Sequence, residues 1–335
     1  MPGLSGERKH FSKRPVRHFT AGIVRLQGLF LLLVALLAAG CATPAPPAST
    51  ETAQAPTVLS PTPAPSATPT PLPTASPVPC DPASANYCIV AGQFVLERPI
   101  SPDGVQTTDR SYAYGSTLGG AREPHHGVEF PNPRGTPVLA AAAGQVFFAG
   151  DDRTEKFSPW NNFYGNLVIL EHHLVGQTFY TIYAHLAQID VVTGQSVEAG
   201  QTIGAVGMSG SASGHHLHFE VRLEAQNYDS TQNPHLWLVP LPETGVLSIR
   251  FVNAAGQFVA TQPNIQYFPD PSGLPARAWQ PELYAPGMPP AWENALLGDL
   301  PAGRYRITYL WGGVLYERWI EMQPGKLTLV SFEVP

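Results

Sequence analysis

The sequence has few charged residues, and the positive ones are the scarcer kind. Charged side chains make up 13% of the chain, with 19 Lys and Arg against 25 Asp and Glu, for a formal charge of −6. Residues 1–40 carry six of the basic side chains and one acid, so the remainder is more acidic still. An acidic chain without basic patches argues against a nucleic-acid partner.

Helical periodicity is missing from the middle of the chain. Between residues 99 and 223, no segment repeats apolar residues at helical spacing over three turns. Short apolar runs such as 167–170 and 179–183 are separated by turn residues, in a chain with 31 Gly and 36 Pro. Residues 138–143 and 145–148 are predicted to form a hairpin about Gly144. The predicted fold class is all-β.

Cysteine is also scarce, and each of the three has an expected place. Cys41 follows a basic segment and a short apolar run at residues 29–39, and Ala38-Ala39-Gly40-Cys41 resembles a bacterial lipobox, although Ala38 departs from the usual larger residue. Residues 1–40 are therefore predicted to be a lipoprotein signal peptide, because the run is short for a membrane span. The alternative is an uncleaved N-terminal membrane helix. Either alternative predicts an exported, membrane-anchored protein, and favours a disulfide between Cys80 and Cys88.

The composition divides the rest of the chain into four parts. Residues 41–79 are almost entirely Pro, Ala, Thr and Ser, which predicts a disordered, extended linker. Residues 80–98 are predicted to be a lead-in stapled by the disulfide, with a strand running into the domain at 99–240. At 245–335, the alternation of Leu247, Ile249 and Phe251 and later turn-separated runs predict a small antiparallel β-sandwich. We expect a spacer role for this last part, with wall or glycan binding as the alternative.

Histidines cluster in three short motifs. Residues 214–221 have strand character, so His216 and His218 are expected on one face and Leu217 on the other. Two imidazoles side by side can share a metal ion, or one can bind metal while the other handles protons. Upstream, His125 lies four residues before Glu129, and His185 follows a Tyr-Ala pair.

The order of these motifs resembles the lysostaphin/LytM family of zinc endopeptidases. Gly135-Thr136-Pro137-Val138 and the segment 200–204 match the turn-and-strand pattern of that family, and the resemblance covers residues 99–240. It implies the family's small all-β fold, the duplicated hybrid motif, and hydrolysis of peptide cross-links in bacterial peptidoglycan during cell-wall remodelling. A weaker resemblance links residues 245–335 to carboxypeptidase-regulatory-like sandwich modules.

The resemblance also implies roles for five residues. His125, Glu129 and His218 would bind one Zn²⁺ per chain and leave a fourth position for water. His216 would act as general base, and His185 would stabilise the oxyanion or protonate the leaving amine, although the two roles are interchangeable on this argument. Glu129 departs from the aspartate usual in the family, and its extra methylene moves the carboxylate by roughly 1.5 Å. The alternative function is therefore a non-catalytic LytM-like module that binds the wall or activates other hydrolases.

The remaining polar residues near these motifs have structural interpretations. We expect His126 to face away from the site, and His172 and His173 to lie at the end of a strand. His235 is interpreted as structural. The polar and aromatic insert at 151–163 is expected to form one wall of a groove.

Overall fold

The computed structural model describes residues 80–153, 155–289 and 291–335. The predicted signal peptide, the lipid-attachment site Cys41 and the Pro/Thr linker lie outside these residues. Apart from two single-turn 3₁₀ helices at Tyr228–Ser230 and Pro234–Leu236, the regular elements in the described part are strands. The all-β prediction is confirmed. None of the helices described is long and apolar enough to cross a membrane.

The described residues form four sheets. In chain order, the strands are β1 (Cys88–Val90), β2 (Val128–Pro131), β3 (Pro137–Leu139), β4 (Gly144–Asp151), β5 (Asn166–Leu174), β6 (Gln177–Ala184), β7 (Leu186–Ile189), β8 (Ser196–Val197), β9 (Thr202–Val206), β10 (His216–Arg222), β11 (Thr231–Gln232), β12 (Thr244–Val252), β13 (Asn264–Phe268), β14 (Arg277–Trp279), β15 (Ala295–Pro301), β16 (Gly303–Trp311), β17 (Val314–Met322) and β18 (Leu327–Glu333).

The largest sheet has seven strands and carries the histidine motifs. Its order is β11-β10-β6-β5-β4-β8, and β2 pairs with β10 along the same edge as β11. The apolar run of β5 is continuous because both faces of the sheet are covered at this strand. Val168 and Leu170 belong to one hydrophobic cluster, whereas Leu167 and Ile169 belong to another. The sheet is therefore a rigid, doubly buried platform for the residues at its edge.

The predicted hairpin about Gly144 is wrong. Strand β3 pairs with β9 in a three-stranded sheet with β7, whereas β4 pairs with β5 and β8 in the seven-stranded sheet. The residues between them are small: Ala140, Ala141 and Ala142 are buried. The alanine run therefore carries the chain through the core from one sheet to the next, a path that local alternation does not distinguish from a turn.

The C-terminal residues form two four-stranded sheets, with orders β1-β18-β12-β15 and β14-β13-β16-β17. Their inner faces share one hydrophobic cluster, which includes Leu247 and Phe251 of the first sheet and Ile265 and Tyr305 of the second. The predicted β-sandwich is confirmed, but the expectation that it is antiparallel throughout is wrong, because β12 pairs with β18 in parallel. The domain boundaries and the carboxypeptidase-regulatory-like resemblance stay predictions.

The lead-in segment contacts both parts of the chain. Strand β1 pairs with β18, so this strand completes a C-terminal sheet instead of running into the first domain. The disulfide joins Cys80 to Cys88, the first residue of β1. Further on, Leu96 bridges to Leu238. The guanidinium of Arg98 then donates to the carboxylate of Asp299, at 3.0 Å for Nη1 to Oδ2. The lead-in therefore connects the seven-stranded sheet region with the C-terminal sandwich.

Candidate metal centre

The pairing of β2 with β10 brings two of the motifs together. His218 lies directly opposite Glu129 in the register of the two strands. His125 precedes β2, and Gly127 lies between it and Glu129. A Cβ atom at Gly127 would lie 2.8 Å from Cε1 of His218 and 2.6 Å from the backbone oxygen of Phe219. Glycine therefore leaves the space in which the ring of His218 lies.

Three side-chain atoms converge at this place. Oε1 of Glu129 lies 3.0 Å from Nε2 of His125 and 3.1 Å from Nδ1 of His218, and these two nitrogens are 3.2 Å apart. All three residues are buried, and their ligand atoms could hold a metal ion. Tetrahedral coordination at about 2.0–2.1 Å places ligand atoms roughly 3.4 Å apart, close to this triangle. The extra methylene of Glu129 therefore does not keep its carboxylate out of the cluster.

The far side of the His218 ring is held by a buried carboxylate. Nε2 of His218 lies 2.9 Å from Oε1 of Glu220, which also accepts a hydrogen bond from the hydroxyl of Tyr164 at 2.6 Å. Nε of Arg222 donates to the other oxygen of Glu220 at 2.7 Å. Although burial opposes ionisation, Arg222 and His218 lower the pKa of Glu220 to about 2.

This network determines which nitrogen of His218 faces the cluster with a lone pair. An ionised Glu220 accepts the Nε2–H of His218, so in the neutral ring the lone pair is on Nδ1, the atom in the triangle. Burial alone would lower the pKa of His218, but Glu129 and Glu220 outweigh it and raise that pKa to about 10 without a metal ion. A carboxylate that orients a ligating histidine in this way is the usual outer contact of a protein zinc site.

His216 and His185 lie beside the triangle. Nε2 of His216 is 3.1 Å from Oε2 of Glu129, and His216 and His218 share one face of β10, as predicted. Nδ1 of His216 lies 2.9 Å from the carbonyl oxygen of Gly214, and Nδ1 of His185 lies 2.9 Å from that of Ser209. Because carbonyl groups only accept, each Nδ1 carries the hydrogen and each Nε2 carries the lone pair.

Both rings are neutral near pH 7. Burial lowers the pKa of His216, and burial together with the nearby His218 lowers that of His185 to about 3. The ring centroids of the two are 4.9 Å apart. His185 also has a backbone φ of 62°, a left-handed conformation that costs a non-glycine residue energy and that is concentrated at functional sites. The pair can therefore accept protons from a group bound between them and the triangle.

Aromatic residues from outside the motifs form the walls of the site. The ring of Tyr112 stacks on His125 with centroids 3.9 Å apart, and the guanidinium of Arg122 lies 5.2 Å from the Tyr112 ring centre. Phe163, at the end of the 151–163 insert, lines the same groove of about 370 Å³. The insert forms a wall of the groove, as predicted. Sequence analysis missed Tyr112, Tyr164, Glu220 and Arg222; alternation along β10 could have found the last two.

The other histidines have structural places. His126 is buried, stacks on Tyr228 with centroids 3.9 Å apart, and bonds to Thr231. The expectation that His172 lies at the end of a strand is wrong. Strand β5 continues to Leu174, and His172 is fully buried between Thr181 and the carbonyl of Ala143, whereas His173 is exposed.

The chain is similar to known peptidases over this region. Residues 123–230 match the model of peptidase family M23. These residues form an M23 peptidase domain. The resemblance to lysostaphin/LytM peptidases is thereby confirmed for this part of the chain.

Individual relatives share the same region. Peptidoglycan DD-endopeptidase ShyC of Vibrio cholerae is 42% identical over 29% of this chain and 19% of its own length. The uncharacterized lipoprotein YgeR of Escherichia coli is 38% identical over 31% of this chain and 36% of its own. The lysostaphin catalytic domain of Staphylococcus simulans is 32% identical over 38% of this chain and 89% of its own, with a TM-score of 0.31. The chain thus spans about a third or less of the two curated relatives.

Proposed function

We propose that the protein is a zinc-dependent metalloendopeptidase that hydrolyses peptide cross-links of bacterial peptidoglycan. The observation that carries the proposal is the triangle of His125, Glu129 and His218, with the lone pair of His218 directed into it by Glu220. The M23 domain supports the peptidase class. The naming of ShyC as a peptidoglycan DD-endopeptidase supports the substrate.

We assign one Zn²⁺ per chain to the triangle. Two imidazoles and one carboxylate are a donor set that zinc accepts, and three protein ligands leave a fourth position for water. When bound, zinc acidifies that water and polarises the scissile carbonyl. Glu220 keeps His218 in the ligating tautomer.

His216 and His185 perform the proton transfers. Nε2 of His216, with its lone pair and its place beside Glu129, accepts the proton of the attacking water. Nε2 of neutral His185 also offers a lone pair, so His185 donates to the oxyanion or the leaving amine only after it has taken up a proton. The two histidines have equivalent backbone contacts, so exchange of their roles stays open.

We further propose that the protein is exported and anchored to a membrane. The predicted signal at 1–40 and the lipidated Cys41 carry this part of the proposal, and the naming of YgeR as a lipoprotein supports it. The linker at 41–79 would let the M23 domain reach the wall at a distance from the membrane, because Pro-rich segments extend by about 3 Å per residue.

The alternative, a wall-binding or activating module without catalysis, rests on Glu129 in place of aspartate. The position of its Oε1 atom, within 3.1 Å of both candidate histidine ligands, favours the enzyme.

The deciding experiment uses residues 80–335 on purified peptidoglycan and counts released amino termini. We expect release with zinc, loss with a chelator, and loss in His216→Ala. His173→Ala is the matched control, because His173 is an exposed histidine of β5 outside the cluster. A folded protein that releases nothing with zinc present would contradict the enzyme, and the alternative would then take its place.

A further inference from the structure

The segment at residues 111–118, here called the strap, lies beside His125 and determines the position of its backbone. The amide of Gly115 donates to the carbonyl of His125 at 2.7 Å, and the amide of His125 donates to the carbonyl of Ser116 at 3.0 Å. From the same strap, Tyr112 stacks on the His125 ring. Both the backbone and the ring of this candidate ligand therefore take their places from the strap.

The strap has one residue in the core: Tyr114 is buried, and its hydroxyl donates to the carbonyl oxygen of Thr231 at 2.9 Å. Beside this anchor, a cavity of about 490 Å³ lies between the strap and C-terminal residues that include Trp279 and Leu297. Ser111 and Leu118 line both this cavity and the metal groove. With open space on both sides of Ser111 and Leu118, the strap is held by Tyr114 and by contacts with the C-terminal sandwich.

Those contacts come from residues 282–285, between β14 and β15 of the C-terminal sandwich. One oxygen of Glu282 accepts from the hydroxyl of Ser116 at 2.6 Å, and the other accepts from the hydroxyl of Thr117 at 2.6 Å and from its amide at 3.2 Å. The amide of Ala285 donates to the carbonyl of Gly115 at 2.9 Å. Glu282 is exposed to solvent, but its one side chain accepts three of these four hydrogen bonds and so ties Ser116 and Thr117 to the same point.

The fit at Gly115 is close. Its φ is +78°, and a Cβ atom there would lie 2.5 Å from the ring of Tyr284. That ring packs edge-on against Tyr114, and its hydroxyl accepts from Asn233 and donates to Glu293. Tyr284 is thus fixed, and the strap passes so near to it that glycine alone fits without strain.

We propose that Glu282 is a positioning residue for the metal centre, acting on His125 through Ser116 and Thr117 of the strap. The C-terminal sandwich is then a structural part of the site and not only a spacer. The proposal rests on the proposed function only in taking His125 as a metal ligand.

The first test measures hydrogen exchange of the His125 amide in the metal-free full chain, since this amide donates to the strap. We expect Glu282→Ala to raise its exchange rate about tenfold, because the opening that exposes it becomes easier. The amide of His185, which donates to Tyr164, is the internal control and should keep its rate.

The second test measures Zn²⁺ affinity of the full chain by competition with a chelator. Loss of a group bonded directly to a ligand weakens metal binding by about 10- to 100-fold. Glu282 acts one step further away, through the strap, so we expect the lower end, about tenfold, for Glu282→Ala. Glu282→Gln should stay within about twofold, because its amide can still pair with both hydroxyls, which can donate or accept. Glu333→Ala, which removes an exposed glutamate of β18, should leave the affinity unchanged.

A double-mutant cycle separates positioning from general destabilisation. Thr117→Val removes one partner of Glu282, so combining it with Glu282→Ala should cost little more zinc affinity than Glu282→Ala alone. Additive losses would overturn the proposal, as would an unchanged His125 exchange rate in Glu282→Ala or an equal loss of affinity in Glu333→Ala. Neither test uses peptidoglycan, so both can succeed even if the proposed substrate is wrong. A wrong substrate would show up separately, as a wild-type protein that releases no amino termini from peptidoglycan.

Discussion

His218 lies directly opposite Glu129 in the paired strands β10 and β2, and their side chains meet at 3.1 Å. The glutamate that departs from the usual aspartate is thus placed by strand register, with its full length used to reach the triangle. Shortening it would pull the carboxylate back by roughly 1.5 Å unless β2 moves, and β2 is held by four paired residues.

We therefore expect Glu129→Asp to bind Zn²⁺ about tenfold more weakly than the wild type, and not to gain activity. The measurement is chelator competition, run beside release of amino termini from peptidoglycan. Glu129→Ala, which removes the carboxylate altogether, should lose more. Higher affinity and a large rise in activity for Glu129→Asp would show that glutamate disables the site, and would favour the non-catalytic alternative.

Glu220 should affect metal binding without touching the metal. Glu220→Gln keeps the size of the side chain but replaces an anion between His218 and Arg222 with a neutral amide, so the tautomer of His218 is no longer enforced. We expect Zn²⁺ affinity to fall about 10- to 100-fold. The free energy of unfolding should fall by about 3 kcal/mol or more, because Arg222 is left buried without a counter-ion.

Tyr164→Phe is the matched control for Glu220. It removes the hydrogen bond that the hydroxyl donates to Glu220 and the one that it accepts from Nη2 of Arg222, which keeps its contact with Glu220. The charges stay in place, so the loss in the free energy of unfolding should be about 1–2 kcal/mol. An equal loss of zinc affinity in Tyr164→Phe and Glu220→Gln would contradict the assignment of tautomer control to the charge of Glu220.

The family resemblance implied the triangle, whereas the residues that surround it were not predicted. Strand alternation places His216, His218 and Glu220 on one face, but bringing His218 to Glu129 requires the pairing of β10 with β2, which local spacing does not show. Tyr112 and Tyr164 come from loops and strand ends, and their contacts with the site depend on the path of the chain between motifs. No local pattern records that path.

The same limit explains the errors in the fold. The short apolar run of β1 is visible in the sequence, but its pairing with β18 joins residues at opposite ends of the folded region. Likewise, the alanines before β4 are compatible with a hairpin locally, and only the competing partners β9 and β5 place β3 and β4 in different sheets. Strand existence follows from local composition, whereas strand pairing is decided by the whole core.

Beside His126 and His185, whose pKa values burial also lowers, His235 should make stability fall in mild acid. This residue is buried, and burial lowers its pKa from 6.5 to about 4, with Asp299 opposing the shift. Between these two pH values the unfolded chain binds a proton at His235 that the folded chain does not, so the stabilisation present above pH 6.5 is lost as the pH falls toward 4. The loss amounts to about 3 kcal/mol at most.

The check is the melting temperature of metal-free protein at pH 7 and pH 5. We expect the melting temperature to fall less between pH 7 and pH 5 in His235→Gln than in the wild type, since glutamine does not titrate. His173→Gln, at an exposed position, should follow the wild-type curve. If the melting temperature of His235→Gln falls as much as that of the wild type, other groups cause the acid sensitivity.

The ring of His235 also explains a glycine in the sandwich. Gly298 of β15 is buried, and a Cβ atom there would lie 2.0 Å from Nδ1 of His235. The ring has no room to withdraw, because its Nε2 lies 3.1 Å from the hydroxyl of Thr108 and the His235 amide is held by Asn233. Gly298→Ala should therefore cost about 1–3 kcal/mol of unfolding free energy and lower the melting temperature by roughly 2–4 °C per kcal/mol.

A double-mutant cycle tests whether the clash itself is the cause. His235→Ala removes the ring and leaves a cavity, so adding Gly298→Ala in that background should cost almost nothing, because its methyl group then enters empty space. Gly214→Ala is the control, since a Cβ atom there meets nothing within 4 Å. If Gly298→Ala is equally destabilising with and without the ring, its cost comes from the backbone of β15. That result would show that the close packing of His235 on Gly298 does not hold the 3₁₀ helix Pro234–Leu236 against the sandwich.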